Sequence, residues 1–190
     1  MGREWELKFA AKDPSVLEDI LTCLQKPCRQ MHMESTYYDT RDGDLAARKW
    51  TLRRRQEGET SVITMKTDGD GHQRGEWEYT ADSVAGAGRL LPQLGAPPQL
   101  QELLKDGVVP VCGAVFTRRS VLLELDGAAA ELALDHGILF REDRRLPLCE
   151  VELELKQGNE AAVETFGREL AQRFCLTEEP RSKFVRAVSL

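Results

Sequence analysis

Residues 3–10 alternate charged and apolar side chains, the period of a half-buried strand. The same alternation returns at Lys49–Arg55, Ser61–Lys66, Arg74–Thr80 and Cys149–Lys156, and two or three further times between 108 and 141. Residues 30–40 also read as extended, closing in Tyr37-Tyr38-Asp39-Thr40. Turns are expected at Glu57–Glu59, Asp68–Gly71 and Asp126-Gly127, and Arg41–Asp44 reads as a turn or the start of a short helix. Helical periodicity interrupts this pattern. Asp13-Pro14 supplies a cap and first position for a helix with the stripe Val16, Leu17, Ile20, Leu21, Leu24, which Pro27 is predicted to end. Residues 82–106 hold two predicted helices split at Gly95–Pro98. Asn159 caps another, with the face Val163, Phe166, Leu170, Phe174, and a short helix after Pro180 carries Lys183. Strands in consecutive hairpins with helices inserted between them predict an antiparallel α+β arrangement rather than a doubly wound sheet.

Composition narrows the class. The 190 residues are 41% hydrophobic and 31% charged, as expected of one globular domain over 1–190. A net charge of -6 argues against a nucleic-acid partner, whose binding rests on phosphate neutralisation. Cys23, Cys28, Cys112, Cys149 and Cys175 form no CxxC pair and have no histidine at zinc-ligand spacing. A reduced, cytoplasmic protein is therefore expected, with no signal peptide ahead of the first strand and no membrane partner.

Chemistry enters through the strand faces. Residues i, i+2 and i+4 share one face. Glu4, Glu6 and Lys8 thus project together, opposite Trp5, Leu7 and Phe9. Glu150, Glu152 and Glu154 do the same opposite Val151, Leu153 and Leu155, and Arg74, Glu76 and Glu78 lie opposite Trp77 and Tyr79. Arg53 with Arg55, and Thr64 with Lys66, make two more such faces. Two carboxylates about 4 Å apart repel by roughly 4 kcal/mol at an effective dielectric of about 20, so single-signed faces need partners. Acidic faces that meet divalent cations and basic faces that meet an anion satisfy that need. The apolar faces are too large for solvent and are expected under the helices, leaving a charged, wet lumen inside. Oxygen-only ligands favour Mg²⁺ or Mn²⁺.

Six segments carry a resemblance: Glu4-x-Glu6-x-Lys8, Leu52-Arg53-Arg54-Arg55, Thr64-Met65-Lys66, Arg74-x-Glu76-x-Glu78, the late acidic strand Glu150-x-Glu152-x-Glu154, and Ser182-Lys183. In this order they resemble the CYTH domain, or triphosphate tunnel metalloenzyme, family, most nearly its bacterial inorganic triphosphatases. The resemblance implies an eight-stranded antiparallel β-barrel, a tunnel with a charged lumen and helices packed outside. It also implies a Mg²⁺ or Mn²⁺ cofactor and an inorganic or organic triphosphate as substrate. Many such bacterial enzymes carry a further helical domain, for which this chain is expected to be too short.

The roles then implied are these. Glu4, Glu6, Glu150 and Glu152 would hold a metal, with Glu154 one step further along. Asp135 and Glu76 or Glu78 would serve a second metal or orient the attacking water. Arg53, Arg55, Lys66, Arg74 and Arg118 would hold phosphate, as would Lys8, which could instead position water, and Lys183 at one end. Glu4, Lys8, Glu76 and Glu78 form the catalytic set. Arg118 and Arg119 are adjacent, and a one-residue slip exchanges which points inward; alternation favours Arg118. Tripolyphosphate hydrolysis is the leading expectation. Thiamine triphosphate hydrolysis, ATP cyclisation and non-catalytic polyphosphate or nucleotide binding are its rivals. The oligomeric state could be monomer or homodimer.

Overall fold

The computed structural model describes residues 2–68 and 73–190, without the side chains of Arg3, Glu4, Gln73 and Arg74. The expected alternation produces strands β1 (Gly2–Ala10), β2 (Arg29–Asp39), β3 (Thr51–Glu57), β4 (Thr60–Lys66) and β5 (Gln73–Thr80). Three longer strands follow, β6 (Val109–Leu125), β7 (Ala128–Arg141) and β8 (Arg144–Gly158), and then the short β9 (Thr177–Glu178). The segment 108–141 is therefore two long strands, joined at Asp126-Gly127, where Gly127 takes a positive φ of 74°. All pairings are antiparallel, in the order β5-β4-β3-β2-β6-β7-β8-β1-β9. Gly2–Trp5 of β1 also pair with Gln73–Glu76 of β5, which returns the sheet on itself as an eight-stranded barrel. Phe9 and Ala10, further along that edge of β1, pair instead with β9.

Parity decides where the core sits. The outward residues of β1, β6, β7 and β8 (among them Trp5, Leu7, Phe9, Val121, Leu132 and Leu153) are covered by α1 (Pro14–Leu24) and α5 (Glu160–Phe174). Asp13 and Asn159 cap these helices, accepting from the N–H groups of Ser15 and Ala161, both at 2.9 Å. The first helix ends at Leu24, with Gln25 in the left-handed region, before Pro27 is reached. The outward residues Leu52, Ile63 and Met65 pack beneath α2 (Asp44–Ala47), α3 (Ala87–Gln93) and α4 (Gln99–Leu103).

A third cluster lies inside the barrel, against the expectation of an apolar exterior alone. Met33, Tyr37, Ala114, Phe116, Leu139 and Leu148 share the inward parity of the charged residues. They close against Phe184 and Ala187 of α6 (Lys183–Val188). The interior is charged along one part and apolar at the end that α6 covers. Gly137 makes room there, since a Cβ would lie 2.2 Å from the Val115 carbonyl oxygen. Among the described residues no helix is long and apolar enough to cross a membrane.

Candidate functional site

The inward side chains divide the wall by sign. Glu131 on β7, Glu152 and Glu154 on β8, Glu6 on β1, and Glu76 and Glu78 on β5 make a contiguous acidic arc, because these strands are neighbours. Lys66 on β4, Arg53 and Arg55 on β3, and Arg118 on β6 make the facing basic arc. All of these residues line one cavity of about 1260 Å³, together with Lys8, Thr64 and Lys183. Register sets the local pairs. Glu6 lies opposite Glu154, which lies opposite Glu131, so three carboxylates form one row across β1, β8 and β7. Lys8 lies opposite Glu152, and its Nζ is 3.3 Å from Glu6 and 3.9 Å from Glu152. Lys66 lies opposite Glu76, with 3.3 Å between their charged groups. Thr64 is opposite Glu78 and accepts from Arg53 Nη2 at 3.3 Å.

Behind this wall is a second, buried constellation. Asp135, Glu150 and Glu152 each bring an oxygen within 4.8 Å of the others. Lys183 Nζ is 2.8 Å from Asp135 and 2.9 Å from Glu152, and it donates a short hydrogen bond to Glu150. Arg118 donates to both oxygens of Asp135 and, through Nη2, to Glu152. Arg186 Nη1 donates to Glu150 at 2.5 Å. Three carboxylates thus face three cations, the composition that lets such a group stay buried.

This arrangement bears on two expectations. An ammonium has three donors, and the three carboxylates take them, so Lys183 borders the cavity with no hydrogen left for phosphate. Asp135 and Glu150 are fully buried and are not among the cavity-lining residues. Among the described residues this trio is the group of carboxylates close enough together to hold a metal, and a metal there would take the place of the Lys183 ammonium. The cavity-facing carboxylates offer oxygen without thiol or imidazole, the donor type a hard divalent cation prefers.

Electrostatics follow the geometry. Burial works to raise the Glu152 carboxyl, but Lys183, Arg118 and Lys8 outweigh it and hold the group well below the usual range. Burial raises Glu150, with Lys183 only partly opposing it. The three carboxylates raise Lys183 despite its burial. Arg55 is lowered by burial and by Arg53 beside it. The Nε atoms of Arg53 and Arg55 are buried with no hydrogen-bond partner. Two guanidinium donors of the basic arc thus lack partners, whereas the buried trio is saturated.

The sequence expectations are met unevenly. Glu6, Lys8, Arg53, Arg55, Lys66, Glu76, Glu78, Arg118, Glu152 and Glu154 come together around the cavity. Arg118 points inward, whereas Arg119 turns outward to pair with Glu18 of α1 at 2.7 Å. The side chains of Glu4 and Arg74 and all of His72 lie outside the described residues, although backbone register sets Glu4 opposite Arg74. Sequence reasoning missed Glu131, whose signal is its shared parity with Asp135. It also missed Arg186, which lies one helical turn beyond Lys183. His32 and His136 are exposed and away from the cavity.

Residues 2–188 match the CYTH domain family. An inorganic triphosphatase of Haemophilus influenzae is 30% identical over 167 residues, which cover 84% of this chain and 47% of that protein. The chain spans about half the length of this relative. Among solved structures, a Hippeastrum protein described as a candidate adenylyl cyclase with a dominant triphosphatase activity superposes with a TM-score of 0.71 at 19% identity. That match covers 98% of this chain and 95% of the other. A candidate adenylate cyclase of Bacillus halodurans gives 0.66 at 18% identity, with 96% of both chains covered. At such identities the likeness is one of fold.

Proposed function

The chain belongs to the CYTH domain family, and on that premise we propose that it hydrolyses inorganic triphosphate to diphosphate and orthophosphate with Mg²⁺ or Mn²⁺. The observation that carries this reading is the basic arc of Arg53, Arg55, Lys66 and Arg118 facing a carboxylate arc across one cavity. A polyanion held by a hard cation completes both arcs at once. Cations on one arc alone would suit a passive anion binder, which would have no use for the carboxylates opposite.

Arg53 and Arg55 offer planar forks to phosphate oxygens, and Lys66 adds a point charge. Arg118 spends Nε and Nη2 on Asp135 and Glu152, which leaves Nη1 for the ligand. Glu6 and Glu154, with Glu131 beside them and Glu4 on the same strand as Glu6, would hold the cation. When bound, the cation neutralises developing charge on phosphate and makes water more acidic. Lys8, fixed between Glu6 and Glu152, keeps their charges from repelling and stands ready to orient a phosphate oxygen. Glu76 and Glu78 face the same cavity and would accept hydrogen bonds from the attacking water. Little covalent work falls to the protein, so positioning and charge complementarity supply the catalysis.

One observation favours a second reading. A cavity of about 1260 Å³ exceeds the roughly 300–1,000 Å³ of ordinary ligand sites, which leaves room for an organic group on the triphosphate. Incubation with Mg²⁺ and, separately, tripolyphosphate, thiamine triphosphate and ATP, with products resolved by ion-exchange chromatography, separates these readings. Diphosphate and orthophosphate from tripolyphosphate at the highest turnover support the first. Preferred thiamine triphosphate hydrolysis or cyclic AMP would replace it, and no product from any of the three would remove catalysis altogether.

A further inference from the structure

The lumen does not end at the large cavity. A second cavity of about 160 Å³ lies beyond it, lined by inward residues of β2, β3, β6 and β7. Arg55, Arg118 and Glu131 line both cavities, so they stand at the partition between them. Arg29, Met31 and Ser120 belong to the small cavity alone. Register sets Arg29 opposite Ser120 and Met31 opposite Arg118. These residues lie toward the end of the barrel opposite α6, and Arg29 is exposed at its mouth.

The two sizes impose an orientation. At about 30 Å³ per water molecule, 160 Å³ holds about five waters, enough for an ion of five heavy atoms but not for an organic group. Any group attached to a triphosphate must therefore sit on the large side, with the free terminal phosphate against Arg55 and Arg118. Cleavage of the terminal bond leaves orthophosphate at the partition with diphosphate between it and the large mouth. From that position the small cavity is the space on the side away from diphosphate.

We propose that the small cavity is an exit port for orthophosphate, separate from the mouth that admits the triphosphate. This rests on the triphosphatase reading for its ligand. The Arg55 and Arg118 guanidiniums line the inner end. The Ser120 hydroxyl and the Arg29 guanidinium continue the donors outward. Glu57, ion-paired to Arg55, and Glu131 offset part of this charge, so the port passes a phosphate rather than trapping it.

The test follows orthophosphate exchange by ³¹P NMR on protein already saturated with Mg²⁺ and diphosphate, so hydrolysis is not the readout. Wild-type protein should exchange orthophosphate while diphosphate stays bound. Ser120→Trp should slow entry and exit equally, by about tenfold or more, with the dissociation constant unchanged. Arg29→Glu, at the exposed mouth, should slow entry by about tenfold by reversing the local field, and guards against a folding defect in the first variant. Unchanged exchange rates in both variants would overturn the port, as would exchange only after diphosphate departs, or no bound orthophosphate at all. Orthophosphate exchange in a protein that cleaves no triphosphate would keep the port and sink the hydrolase reading instead.

Discussion

Arg118 donates to both carboxylate oxygens of Asp135, at 2.8 and 2.7 Å, and Asp135 is fully buried. The pair links the outer wall of the cavity to the Lys183 cluster. Replacing Asp135 by asparagine keeps the shape but leaves two buried cations with one carboxylate fewer. Removing one member of a buried ion pair costs about 3–5 kcal/mol. Urea denaturation of Asp135→Asn should show a loss in that range; a loss under about 1 kcal/mol would mean that Asp135 does not carry the network.

Lys183→Met should act through stability and not merely through substrate affinity. It leaves three buried carboxylates against the two guanidiniums of Arg118 and Arg186. A loss of about 3–5 kcal/mol is expected. Mn²⁺ should recover part of it, because the vacated trio then has cation geometry. Thermal unfolding with and without Mn²⁺ checks both points. A variant as stable as the parent, with a raised KM alone, would return Lys183 to the phosphate-binding set.

Gly137→Ala should be disruptive although it adds one methyl group. Its Cβ would meet the Val115 carbonyl oxygen at 2.2 Å and Phe116 Cα at 2.5 Å, both backbone atoms of the paired strand β6. Such overpacking costs typically about 1–3 kcal/mol or more, since a ladder cannot shift as a side chain can. Chemical denaturation reads the loss, and wild-type stability would contradict the close approach of β6 and β7.

Acid should unfold the protein partly through Glu152. Its folded pKa lies below the ordinary value near 4.5, so its stabilisation is complete above that value. It is lost as pH falls toward the depressed folded value. Glu150 works in the opposite sense, its raised pKa costing stability as pH rises above about 4.5. Stability measured from pH 6 down to pH 3 should fall less steeply in Glu152→Gln than in the parent. Equal slopes would assign acid sensitivity to other carboxylates.

The strands and their facing were legible because period-two alternation fixes both together. Glu6, Lys8, Arg53, Lys66 and Glu152 stand where that period puts them. Alternation also favoured Arg118 over Arg119, but the ion pair that confirms it, with Glu18 of α1, is a contact 101 residues apart in sequence. Saturation of Lys183 was not legible. Parity gives direction, while the depth of a residue along the barrel depends on how far neighbouring strands are staggered. For the same reason the sequence does not show that Phe116 and Arg118, two residues apart on one face, border the same cavity with the guanidinium 5.8 Å from the ring centroid, so that the apolar cluster abuts the charged wall. Glu131 was overlooked because Ala129 and Ala133 flank it on its own face, so no charged run announces it.

Turnover of tripolyphosphate by the purified chain, with Mg²⁺ and then with a chelator, tests the central claim most directly when Arg53→Ala/Arg55→Ala is run beside it. The expected result is equal amounts of diphosphate and orthophosphate with Mg²⁺, none with the chelator, and a loss of about 100-fold or more in the folded double variant. Turnover that ignores both the chelator and the missing guanidiniums would contradict the account, as would its absence from a folded, Mg²⁺-loaded parent chain.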